Sequence, residues 1–162
     1  MVERTLILGL GNVLLGDDGL GVRAIERLQE RCDVPPEVSV LDGGTLGLAL
    51  MRALSSVDRA ILVDAVMTDD PPGTLVRLSG DAVAPAIESH LSPHQIGVAD
   101  LLDGLRWLDA VPPELLLVGI VPDKVELGLE LSPAVERRMP ELVQRVIDEA
   151  RGLGHAIKER AT

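Results

Sequence analysis

The chain has 162 residues, 46% of them hydrophobic, and a formal net charge of −11 at pH 7. That is enough chain for one ordinary domain (residues 1–162) with a substantial core, and too apolar for a disordered tail. The acidic balance excludes nucleic acid and anionic membranes as partners, because counterion release needs a basic patch, while it suits a cationic partner such as a metal ion.

Residues 4–11, RTLILGLG, are a short apolar run bounded by glycines and predict a central strand starting almost at Met1. No signal peptide is read ahead of it, and no apolar run reaches membrane-spanning length, so a cytoplasmic protein with no membrane partner is expected. From about Gly19, Val22, Ile25 and Leu28 recur at helical spacing, and Asp33-Val34-Pro35-Pro36 stops that helix near Cys32. Residues 37–42 (EVSVLD) predict a second strand closed by Gly43-Gly44. Thr45 can cap a second helix carrying Leu46, Leu50, Ala53 and Leu54. A third strand is expected over 59–65 (RAILVDA). After the turn cluster Asp69–Gly73, a shorter fourth strand follows over 74–79, with Arg77 facing out.

Residues 80–91 are ambiguous. Ser92-Pro93-His94-Gln95 then has a serine cap, proline at the first helical position and glutamine at the capping-box position. That helix runs through Val98, Leu101, Leu102 and Leu105 to Trp107, which is placed on its apolar stripe. A fifth strand is expected over 114–122. Ser132-Pro133 opens a last helix through Val135, Met139, Val143 and Ile147, ended at Gly152. Strands joined by helices predict an α/β fold: a three-layer α/β/α sandwich around a mostly parallel sheet. The fourth strand follows the third too closely for a parallel crossover, so it is expected to be an antiparallel edge strand.

Ligands in such sheets gather at the carboxyl ends of the parallel strands. Asp17-Asp18 follow the first strand, Asp42 ends the second, Asp64 ends the third, and His94 begins a helix after the fourth. Gly9-x-Gly11 starts a dinucleotide fingerprint, but Leu14 stands where its third glycine belongs, and two aspartates beside a pyrophosphate would repel it. Each aspartate also has a plain structural reading, as a helix cap or a strand-end acceptor. One aspartate suffices as a cap, so the second is left over. At a helix start the dipole disfavours imidazolium, which favours the neutral, metal-binding form of His94, although a solvated helix-start histidine is the plain alternative. Two carboxylates and an imidazole from separate loops make a three-ligand site with open positions. Gly43-Gly44-Thr45 reads either as a turn with a cap or as a backbone nest for a bound chain. Cys32, the sole cysteine, excludes an intrachain disulfide and reads as inert. With no nucleophile elbow, a serine or cysteine hydrolase is not expected. His90 and His155 read as surface residues.

GLGNVLLGDDGLGVR, LDGGTLGLAL, ILVDAV, PPGTLVRL, SPHQIGVADLL and LLLVGIVP, in this order, resemble the hydrogenase maturation endopeptidases, over nearly the whole chain. The resemblance implies a three-layer α/β/α fold with a twisted five-stranded sheet. It implies an enzyme that makes one cut, removing a C-terminal extension from the large-subunit precursor of a nickel–iron hydrogenase after nickel insertion. The metal-contacting residues carry over onto Asp18, Asp64 and His94, which double as the catalytic set; Asp17 is then a cap or support. The first acid is often Glu in that family and is one methylene shorter here. Gly43, Gly44 and Thr45 are taken as substrate-binding. The nickel is expected to arrive with the precursor, with no organic cofactor, and the protein to act as a monomer. The rival readings are a nucleotide- or dinucleotide-binding module and a non-catalytic maturation chaperone that inspects the nickel site without cutting.

Overall fold

A computed structural model of the chain describes residues 2–44, 49–88, 100 and 102–161. Strand β1, Thr5–Leu10, is buried along its whole length. Helix α1, Leu20–Arg31, follows a 3-10 turn, Gly16–Gly19. Next come the two-residue strand β2 (Cys32–Asp33), β3 (Val38–Gly44), α2 (Ala49–Ser55), β4 (Arg59–Ala65), β5 (Leu75–Ser79) and α3 (Val83–Glu88). Helical residues 102–107 form α4. They precede β6 (Glu114–Ile120), the one-turn helix α5 (Pro133–Glu136), α6 (Met139–Gly152) and the two-residue strand β7 (Lys158–Glu159).

The main sheet has five strands in the order β3-β1-β4-β6-β5. All neighbours are parallel except β5, which pairs antiparallel with β6 at the edge. The expected edge strand is therefore present, but the later strand β6 slots between it and β4. The sheet is covered on both faces, as strands apolar on both sides require. Ile7, Ile61, Val63 and Val118 pack with α1 and α6 on one face. Leu6, Leu8, Leu62 and Leu117 pack with α2, α3 and α4 on the other. Hence α1 leaves β1 on one face, and α2 returns the chain from β3 to β4 on the opposite one.

Three expectations are revised and one open stretch is resolved. The last helix is broken into α5 and α6; Pro140 stands in the first turn of α6, where a missing N–H costs nothing. Ser132 caps α5 as expected, accepting from the Val135 amide. Residues 83–88 are helical. Trp107 is 89% exposed, whereas Leu102 and Leu105 are buried: two residues past Leu105 is about 200° around a helix, the far side from the core. His155 is buried, not on the surface. Its Nε2 lies 2.7 Å from Thr5 Oγ1 at the start of β1, and its Nδ1 lies 3.5 Å from Glu37. The small antiparallel pair of β2 and β7 has no forerunner in the sequence pattern; it brings the tail back beside Cys32.

Candidate active site

The first segment of the site is the stretch from Gly11 to Gly19. Gly11 has φ +118°, and a Cβ there would stand 1.9 Å from the Asp18 carbonyl oxygen. Only glycine accepts both conditions, so the chain can fold back on itself directly after β1. Gly21 allows the next close approach: a Cβ would meet Val63 O at 2.0 Å and Leu10 O at 2.5 Å. The start of α1 is thereby seated over the carboxyl ends of β1 and β4.

The two adjacent aspartates have separate tasks. Both are fully buried. The Asp17 carboxylate accepts from the backbone amides of Asp123, Lys124 and Ser132 and from Ser132 Oγ, at 2.7–3.0 Å. It ties the 3-10 turn to the loop after β6, and its acceptor capacity is committed to that tie. Asp18 Oδ2 accepts the Asn12 amide at 3.1 Å, closing the glycine turn. Asp64 stands near the carboxyl end of β4, buried, with Oδ1 accepting the Ala65 amide at 2.8 Å.

Strand order sets Asp18 and Asp64 beside the same boundary in the sheet. The chain leaves β1 for β3 on one side and returns to β4 on the other. The boundary between β1 and β4 is therefore the topological switch point, the place outside which ligands bind in open α/β sheets. Asp18 follows β1 and Asp64 lies near the end of β4, so both stand beside that boundary. Gly43 and Gly44 end β3, the neighbour on the other side of β1, with Gly44 paired to Leu10 past a register shift. Asp42 is exposed. His94, His90 and Thr45 lie outside the described residues. Among the described residues no group of three His, Cys, Asp or Glu side chains is close enough to hold a metal.

Gly43 has no positive φ, so its backbone conformation alone does not call for glycine. A Cβ would point inward, to 2.9 Å from Leu8 Cδ1, 3.0 Å from Gly9 O and 3.1 Å from Leu10 Cδ2. Its smallness serves the packing of β3 on β1. Cys32 is buried at the end of α1. Burial pushes its thiol pKa above the ordinary 9.0 against the pull of Arg31, as suits an inert thiol. The Asp17–Ser132 tie is the feature that sequence reasoning missed: Ser132 was legible only as a helix cap.

The family model for hydrogenase maturation protease matches residues 22–149. The chain belongs to the hydrogenase maturation protease family. It is 38% identical over 152 residues to a hydrogenase 2 maturation protease of Escherichia coli K12, covering 93% of each chain. The solved structure of the E. coli maturating endopeptidase HybD matches with a TM-score of 0.92 and 37% identity, over 97% of this chain and 98% of that one. The NiFe hydrogenase maturation protease HybD of Thermococcus kodakarensis matches at 0.73 and 32% identity, over 91% and 99%. This family member is accordingly a peptide-bond hydrolase of hydrogenase maturation.

Proposed function

We propose that this endopeptidase removes the C-terminal extension of a nickel–iron hydrogenase large-subunit precursor, recognising the precursor's nickel through Asp18, Asp64 and His94. The carrying observation is the pair of buried carboxylates, Asp18 and Asp64, on either side of the switch point between β1 and β4. Asp17 is spoken for by Ser132 and the loop amides, which leaves Asp18 as the acid of the first turn that can face a cation. The ligand set is small and hard-leaning. It binds nickel weakly alone and better when the precursor's own thiolates complete the coordination. Two roles for nickel are open chemically: it polarises the scissile carbonyl or a water, or it serves recognition while a carboxylate activates the water.

Mass spectrometry of purified nickel-loaded precursor, with and without the protein, tests this. Loss of the extension is expected only with nickel present. Equal cleavage of nickel-free precursor would refute nickel recognition. Binding without cleavage would instead favour an inspecting chaperone.

A further inference from the structure

The loop after β6, residues 123–131, carries large apolar side chains in the open. Leu127 is 86% exposed, Leu129 64% and Val125 44%, and Leu14 on the glycine turn is 54% exposed. The loop is nevertheless held in place. Gly16 N donates to Gly128 O and Gly128 N to Leu14 O, both at 2.9 Å; Asp17 N donates to Lys124 O at 3.0 Å. The Asp17 carboxylate fastens both ends through Asp123, Lys124 and Ser132. An open groove of about 390 Å³ runs along it, lined by Gly16, Lys124, Leu127 and Leu129 among others. Exposed leucines on a fastened loop are presented at a fixed place, which is what the apolar centre of an interface needs. Arg23 of α1 reaches the Leu129 carbonyl at 3.2 Å, but Asp123, Glu126 and Glu130 on the loop, with Glu26, Glu30 and Glu136 beside Leu129, outnumber Arg23, Arg27 and Lys124, so the rim is acidic on balance.

Resting on the function proposed above, we infer that Leu14, Val125, Leu127 and Leu129 form the docking surface for the large-subunit precursor. The matching patch on the precursor is apolar and flanked by lysine or arginine. The loop adjoins the turn that carries Asp18, so docking here brings the precursor's metal to the strand ends. The Asp17 tie makes the apolar rim and the acid turn one rigid unit. Complementary charge at the rim sets orientation and association rate, and salt weakens it.

The test compares wild type with L127S/L129S and E126K/E130K, using nickel-loaded precursor. Affinity is measured by biolayer interferometry, cleavage by mass spectrometry and self-association by sedimentation. L127S/L129S is expected to bind about tenfold or more weakly, with cleavage at saturating precursor retained. E126K/E130K is expected to bind more weakly and with a flatter salt dependence. Should L127S/L129S lose its fold, L14S and E126K/E130K carry the same test on the same rim. Affinities within twofold of wild type overturn the docking surface and leave the proposed function standing. A wild-type dimer that L127S/L129S dissociates, with precursor affinity unchanged, also overturns it and gives the rim to a second copy of the chain. A wild-type protein that neither binds nor cuts the precursor overturns both.

Discussion

Ser132 Oγ donates a 2.7 Å hydrogen bond to Asp17 Oδ2 across 115 residues of chain. The same carboxylate takes the Ser132 amide on its other oxygen, so one aspartate grips both donors of one serine. The bonds are buried and charge-assisted, and removing the acceptor leaves backbone amides unsatisfied. Asp17→Ala is expected to cost ~3 kcal/mol or more of unfolding free energy. Ser132→Ala, which removes one donor and a helix cap, should cost ~1–2 kcal/mol. Urea denaturation of both singles and the double variant should reveal strong coupling. Additive losses would mean that the grip is not a unit.

The neighbouring aspartate should behave differently. Asp18→Asn keeps the side-chain volume and an oxygen for the Asn12 amide, so its melting temperature should stay within a few degrees of wild type while precursor processing is lost. Asp64→Asn and His94→Ala are expected to do the same. A folded Asp18→Asn protein that processes at the wild-type rate removes Asp18 from the nickel-recognition set.

Gly43→Val should act chiefly on stability. Its side chain would enter Leu8, Leu10 and the Gly9 carbonyl, where overpacking costs ~1–3 kcal/mol. Gly43→Ala should show a smaller loss of the same kind. Denaturation midpoints and processing rates on the same preparations decide the matter. Normal stability with failed processing would return Gly43 to substrate contact.

His155 anchors the segment after α6 to the first residue of β1. His155→Ala should cost ~1–3 kcal/mol, since Thr5 Oγ1 is fully buried and loses its partner. A Thr5→Val partner variant should recover part of that loss by removing the stranded hydroxyl. Chemical denaturation of the pair tests this, and no recovery would show that His155 acts through packing alone.

Cys32 supplies a pH signature. Burial raises the folded thiol pKa above 9.0, so the folded chain holds the proton more tightly than the unfolded one. The contribution is full below about pH 9 and is lost as pH rises through the folded pKa. Urea midpoints between about pH 8 and 10.5 should fall less steeply for Cys32→Ala than for wild type. Thiol labelling of native protein should follow the rate of unfolding. Rapid labelling of the folded chain would contradict an inert, buried thiol.

The sequence by itself determined the alternation of strands and helices, the antiparallel edge strand, and the glycine turn that sets acids at a strand end. These are local matters of hydrophobic period, turn chemistry and chain length. Asp17 and Asp18 are the same residue type side by side, and nothing local tells them apart. Only the loop returning from beyond β6 takes Asp17 for the scaffold. Tertiary structure alone also decided that His155 is buried, because its partner Thr5 lies 150 residues away. Trp107 is the opposite case. Its 200° offset from Leu105 was legible in the spacing, but a lone aromatic beside leucines reads as core until the helix is seated on the sheet. Gly43 carried no mark of its own either: a small residue at a strand end suits a turn, a bound chain or a close neighbour equally well. The close neighbours are visible only once β3 is seated on β1, where Leu8 and Leu10 approach Gly43.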